Sequence, residues 1–318
     1  MKKSLIALAV AGAMVAPMVA QADATLYGRI SAELLDTDGT DLNLDDEIGG
    51  RIGIKGDVDL GLEGTKGLFH QEWSSKTDSG LGAARLSYIG ATGGWGTFTV
   101  GRQYMPHWTM NSNVYMARNP FAAEVGYLGN DGFKRINNVA KYVTPNMNGV
   151  TVQAAVILEG ESESGNHDEL NAYNLLAKYK ANGLTLVGSV AETNQDGGDD
   201  IEIWGLSAKY TVNALTLLAR YEEGEEGAAE LESTQLGVQY KIGNTTLKAG
   251  WNKLEDETGA DGDSTTLEVA HKLGKGEVYV GHHSLDDLGR SLSGFSSATV
   301  GAGAGDADTT YLGYLIHF

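Results

Sequence analysis

The chain has 318 residues, no cysteine, and 42 acidic against 23 basic side chains, for a formal charge of −19. Without cysteine there is no disulfide framework, thiolate metal site or cysteine nucleophile, and the acidic balance argues against a nucleic-acid partner, which needs clustered Lys and Arg. A mean hydropathy of −0.21, with 44 glycines and only 4 prolines, excludes a helical membrane protein and a disordered polyanion.

Residues 1–22 read as a cleaved signal peptide. Met1-Lys2-Lys3 is a basic start, Leu5 to Val19 an apolar run interrupted by Pro17, and Ala20-Gln21-Ala22 a small-residue cleavage site. A 15-residue run is short for a membrane span. Its removal leaves residues 23–318 as one domain with 42 acids against 21 bases, or −21.

Period-two alternation then fills the chain. In 24–34, Leu26, Gly28, Ile30, Ala32 and Leu34 share one face, and Tyr27, Arg29, Ser31 and Glu33 the other. Helical spacing fits none of these windows. Such segments occur at 24–34, 50–58, 64–73, 82–91, 95–103, 135–144, 149–159, 170–180, 183–193, 200–211, 214–223, 231–242, 245–255, 264–273, 276–285 and 308–318, an even sixteen. Connectors alternate between short (59–63, 92–94, 145–148, 181–182, 212–213, 243–244, 274–275) and long (35–49, 74–81, 104–134, 160–169, 194–199, 224–230, 256–263, 286–307). Short turns at one end and long loops at the other predict an all-β fold, an antiparallel sixteen-stranded barrel in an outer membrane. Ten residues per strand, tilted by about 40°, rise about 25 Å, the height of the apolar band of such barrels. Tyr142, Tyr179, Tyr210 and Tyr240 near short turns, with Tyr173, Trp204, Tyr221 and Trp251 toward long loops, give two interfacial girdles.

The connector 104–134 is too long to be an ordinary one. It holds Tyr104, Trp108, Tyr115, Phe121, Tyr127 and Phe133, too many aromatics to trail in water. Folded inward it would narrow the lumen; spread outward it would cover a neighbouring subunit. By their own alternation Arg29, Arg51 and Arg85 fall on the polar faces of their strands, and Arg135 opens the sixth. The last strand alternates to the final residue, Phe318, with Leu312, Tyr314 and Ile316 on the same side.

Over essentially the whole mature chain the sequence resembles the general porins of Gram-negative bacteria. The resemblance rests on Leu26-Tyr27-Gly28-Arg29, Arg51-Ile52-Gly53-Ile54-Lys55-Gly56, Arg85-Leu86-Ser87-Tyr88-Ile89-Gly90, Val100-Gly101-Arg102 and the terminal Phe318. It implies a homotrimer of sixteen-stranded barrels whose long third loop folds into the lumen. Such a barrel passes small hydrophilic solutes and ions by diffusion and performs no chemistry. It further implies Phe318 as the signal read by the barrel assembly machinery, and Arg29, Arg51, Arg85 and Arg135 as a basic wall facing loop residues Tyr104, Arg118, Pro120, Phe121 and Glu124. A departure is visible there: the family's Pro-Glu-Phe-Gly-Gly stretch is replaced by Ala117-Arg118-Asn119-Pro120-Phe121-Ala122-Ala123-Glu124, which leaves Glu124 and Asp131 as the candidate loop acids. Local loss of acids weakens cation preference while the net charge favours cations at the mouth, so selectivity stays open. The arginines have an alternative use, pairing with Glu33, Asp57 or Glu72.

Acids crowd the long connectors, at 36–47, 161–169, 222–226 and 255–263. Neither Asp36-Thr37-Asp38-Gly39 nor Glu255-Asp256-Glu257-Thr258-Gly259 has the spacing of a calcium loop, so these read as a solvated surface bridged to lipopolysaccharide and outer-membrane lipid. No metal or cofactor is expected. No zinc-protease, nucleophile-elbow or phosphate-loop pattern appears, and Gly301-Ala302-Gly303-Ala304-Gly305 lacks a strand-to-helix context. The leading expectation is a passive diffusion porin. The alternatives are an anion- or solute-selective porin and a secreted soluble β protein.

Overall fold

The computed structural model describes residues 23–45, 49–119, 127–129, 133–158, 172–193, 199–286 and 307–318. Residues 1–22, and with them the expected signal peptide, lie outside the described residues, as do Pro120, Phe121, Glu124 and Asp131.

All sixteen predicted strands are present. They are β1 (Asp23–Thr37), β3 (Arg51–Leu62), β4 (Thr65–Lys76), β5 (Gly80–Gly93), β6 (Gly96–Tyr104), β7 (Arg135–Val143), β8 (Val150–Ile157), β9 (Ala172–Ala181), β10 (Leu184–Thr193), β11 (Ile201–Val212), β12 (Leu215–Glu226), β13 (Ala229–Ile242), β14 (Thr245–Asp256), β15 (Asp261–Leu273), β16 (Gly276–Asp286) and β17 (Ala307–His317). A further three-residue strand, β2 (Asn43–Asp45), lies in the first long connector and pairs only with the upper end of β1. Each long strand pairs antiparallel with its sequence neighbours, and β17 returns to β1 in the register Arg29↔His317 through Thr37↔Thr309. Gly28 and Phe318 then exchange both backbone hydrogen bonds, at 3.0 and 3.1 Å, so the sheet closes through the last residue of the chain. Closure leaves no edge to pair with another chain.

The alternation read from the sequence sorts the two surfaces. Leu26, Ile30 and Leu34 are exposed on the outside, while Ser31 and Glu33 between them are buried inside. Tyr173, Tyr179, Trp204, Tyr210, Tyr240 and Phe318 stand exposed on the outer wall at the two girdle levels. Turn chemistry sets the register of the short hairpins: Asn182 (φ 48°) and Gly183 (φ 81°) both adopt the left-handed conformation that a two-residue turn between twisted strands requires.

Three expected long connectors are not long. Paired residues run to Glu226↔Ala229 across the expected loop 224–230, to Glu255↔Asp261 within 256–263, and to Lys76↔Gly80 across 74–81. These strands continue above the apolar band, where both faces meet water and period two vanishes from the sequence although the ladder persists. In the second hairpin Asp256 Oδ1 accepts from Thr258 N (2.9 Å), Thr258 Oγ1 (2.7 Å) and Ala260 N (3.0 Å), so this acid serves its own turn. Gly28, on the outer face of β1, is covered by its own chain. A Cβ built there would lie 2.1 Å from Phe318 Cζ.

Candidate functional site

The described part of the long third connector starts with a helix the periodicity did not foresee, α1 (Pro106–Asn113). Pro106 stands in its first turn, where a missing N–H costs nothing. Its buried side mixes polar and apolar residues, Pro106, His107, Trp108, Met110 and Asn111, while Thr109, Ser112 and Asn113 turn toward water. Residues 107–119 then reach inward-facing side chains on strands right around the ring. The backbone N–H of His107 donates to Asn174 on β9. Ser207 on β11 donates to Met110 O at 3.1 Å, and Gln239 on β13 to Tyr115 O at 2.9 Å. The Arg118 N–H donates to Glu268 on β15, and Asn119 to Glu33 on β1 at 2.7 Å. A segment that touches the inner faces of β1, β9, β11, β13 and β15 of a closed sheet lies inside it.

Apolar contacts seat it. Met110 packs with Leu176 and Val187, and Val114 and Met116 pack with Leu218. Gly237 and Gly250 form the slot for Met116; a Cβ at either would come within 2.3 Å of its sulfur. Trp108 centres an aromatic group, stacked on Tyr104 at 5.6 Å and edge-on to Tyr115 (5.6 Å) and Tyr127 (5.2 Å). The aromatics expected to leave water do so against each other.

At the heart of the packed side is Glu222 on β12, read from the sequence as a loop acid and found fully buried. Its carboxylate meets His107 Nε2 at 2.8 Å, Arg220 Nε at 3.0 Å and the Leu128 N–H at 3.4 Å. Arg220 also donates to Asn111. One carboxylate therefore grips the segment at 107 and again at 128. Nearby, Arg118 donates through two nitrogens to Glu277, with Nη2 to Oε2 at 3.0 Å, and Lys248 pairs with Glu268. Burial draws the Arg118 guanidinium down, but the Glu277 carboxylate outweighs it and holds the group above its ordinary range. Arg118, expected at the constriction, stands beside the wall carboxylate Glu277 with its side chain still partly exposed.

The opposite wall carries the predicted arginines. Arg29 and Arg51 face one another across β1 and β3. Arg29 donates to Gly49 O at 3.0 and 3.3 Å. Arg85 Nε donates to Glu72 Oε1 at 2.8 Å, and Arg51 lies 4.0 Å from the same carboxylate. Of the three acids considered as partners, Glu72 takes two arginines; Asp57 pairs with Lys66, and Glu33 bonds Asn119. Tyr104 joins the remaining members: its hydroxyl accepts from Arg85 Nη2 at 3.3 Å and its ring lies 5.8 Å below the Arg135 guanidinium. The structure thus brings Arg29, Arg51, Arg85, Arg135 and Tyr104 together.

The face assigned to Arg85 by alternation needs correction. Glu72 pairs with Leu86 and Trp73 with Ala84, which leaves Arg85 as the extra residue of a β-bulge. Below the bulge Leu86 is buried and Tyr88 bonds inward to His70 at 2.9 Å, while Ile89 is exposed outside. The bulge, not the period, turns Arg85 into the lumen. Two further wall cations outside the four arginines are Lys55, over the Tyr27 ring (5.1 Å), and Lys134, over Trp108 (4.8 Å).

Known proteins fit this arrangement. The model of the Gram-negative porin family matches residues 7–313. The major outer membrane protein P.IB of Neisseria meningitidis serogroup B is 37% identical over 145 residues, 41% of this chain and 40% of that protein. Its counterpart from Neisseria lactamica is 42% identical over 115 residues, 32% of this chain and 33% of that one. The chain thus spans about two fifths or less of the length of these curated relatives. Among solved structures, an anion-selective porin from Comamonas acidovorans superposes with a TM-score of 0.77 at 19% identity, over 94% of this chain and 100% of that one. Salmonella typhi OmpF in complex with daunomycin gives 0.73 at 16% identity, over 93% and 97%. At such identities these structures attest the fold.

Proposed function

The chain belongs to the Gram-negative porin family, and from that premise we propose that it is a passive diffusion channel of the outer membrane for small hydrophilic solutes and ions, narrowed by the connector 104–134. The observation that supports this reading is the inward contact of 107–119 with β9–β15 and with Glu33 on β1, opposite the arginines of β1–β7. The described charges along the β1–β7 side include Arg29, Arg51, Lys55, Arg85, Lys134 and Arg135, against Glu72, Glu33 and an Asp57 already paired with Lys66. A cation-lined constriction of this kind favours anions, since oriented charge in a narrow low-dielectric channel sorts permeant ions. The acidic outer loops act in the opposite sense, but over distances that physiological salt screens within about 8 Å.

The remaining parts of the reading come from the family resemblance: a homotrimer, a cleaved leader at 1–22, Phe318 as the assembly signal, and loop acids that meet lipopolysaccharide through divalent ions. No catalytic residue is part of it. Purified protein in planar bilayers is expected to give ohmic steps in triplets, with a reversal potential in a KCl gradient on the anion side. Absence of conductance steps refutes the channel; a cation-side reversal potential refutes the selectivity alone.

A further inference from the structure

Beneath the loop segment, toward the short turns, the inner wall of β8–β13 carries lysines and no acid. Residues 144–155, 176–188, 206–218 and 236–244 contain no Asp or Glu at all. Their inward positions are fixed by contacts already described. Leu176 packs on Met110, Ser207 donates to Met110 O and Gln239 donates to Tyr115 O. Alternation then places Lys178, Lys180, Lys209 and Lys241 on the same inner face, and the intervening Tyr179, Tyr210 and Tyr240 are exposed outside.

Register brings three of these lysines together. Thr185 on β10 has Lys180 opposite on one side and Lys209 opposite on the other, and Val187 has Lys178 and Ser207. Like charges gathered on one face of neighbouring strands destabilise a sheet unless something answers them. Elsewhere the wall supplies the answer itself, as in Lys66 with Asp57 and Lys248 with Glu268. Here the neighbours are hydroxyls and an amide: Thr151, Thr185, Ser207, Thr216 and Gln239. Lys180 and Lys241 are exposed, and Lys178 and Lys209 half-buried, so the ammonium groups face the lumen water.

We propose that this face, on the short-turn side of the loop, is a binding patch for small multivalent oxyanions of the phosphate class, held by Lys178, Lys180, Lys209 and Lys241. Flexible ammonium point charges ringed by neutral donors, with no competing carboxylate, are the donor set a phosphate needs. A concave wall of one sign also concentrates its counter-ion. The patch rests on the lumen being the conducting path, but not on the ion preference of the arginine wall above it.

The test is block of the chloride current through the full-length protein in planar bilayers by inorganic phosphate, added to one side and then the other. Phosphate is expected to reduce the current at lower concentration from the short-turn side. The variant K178Q/K180Q/K209Q/K241Q is expected to raise the half-blocking concentration at least tenfold, while the corresponding Lys→Arg variant stays near the parent. Should the fourfold Gln variant not fold, K180Q/K209Q carries the same test with at least a threefold rise. Block unchanged in a folded Gln variant, or equal from both sides, overturns the patch. A parent with no current refutes the channel reading instead.

Discussion

The two halves of the lumen wall use the same residue types to opposite ends. On β9–β16, Arg220, Lys248 and Arg118 each sit against a carboxylate, and Arg220, His107 and Glu222 are wholly removed from water. On β1–β7, Arg51 and Arg85 share Glu72, Arg29 bonds the Gly49 carbonyl and Arg135 lies over Tyr104, and all four keep part of their surface in the lumen. Charge that is paired and buried cannot act on a passing ion, but it is costly to disturb. Charge that is half-exposed contributes little to stability and sets the local field. The loop segment makes the difference: it covers one half and leaves the other wet.

Glu222→Gln is the severest way to break the contrast. It strips the carboxylate from Arg220 and His107 in a dry site, where losing one partner of a buried pair costs about 3–5 kcal/mol. A lowered urea midpoint of the detergent-folded barrel, with noisier single-channel current as the segment loosens, is the expected outcome. Glu72→Gln on the open half should barely move the midpoint. Next in size is Gly237→Ala, which drives a methyl into the Met116 slot and is expected to cost about 1–3 kcal/mol by overpacking, read in the same titration. The smallest effect concerns ions only. A unit charge about 4 Å from a permeant ion in water is worth about 1 kcal/mol, roughly fivefold in partition. Arg51→Gln and Arg85→Gln should each lower anion permeability by about that factor in a reversal-potential measurement. Arg118→Gln, whose charge Glu277 already cancels, should change it less than twofold. Equal shifts for Arg51 and Arg118 would dissolve the distinction between the halves.

Much of this was legible in the sequence, and where it was not the reason is physical. Every strand from β1 to β17 except the three-residue β2 announces itself because one face meets lipid and the other water, which imposes period two. The signal fails where that contrast ends. Above the girdle, Gly224–Glu226 read as loop because both faces are wet, though they are paired. Glu222, on the strand just below, was grouped with the acids of that loop; nothing local marks an acid that will be buried by a segment about a hundred residues earlier in the chain. Helix α1 escaped because its buried side mixes His107 and Asn111 with Trp108 and Met110, so no apolar stripe repeats at helical spacing. Arg85 was placed in the lumen on the wrong ground, since a bulge is a property of two strands and only one was being read. The arginine wall emerged from resemblance and alternation together, whereas Lys55, Lys134 and the lysines of β9–β13 fell on inward positions that no motif picks out.

The seam between Gly28 and Phe318 has a consequence for how this molecule comes to exist. Every other strand pair joins neighbours in sequence and can zip hairpin by hairpin, but β1 and β17 meet across nearly the whole chain. Loop closure over such a separation is slow and its entropy is recovered only at the end. Until β1 and β17 pair, the first strand has an open edge, and so does the last. Assembly therefore has a single committing event, the meeting of these two strands, and substitutions that weaken their register leave both edges open for longer.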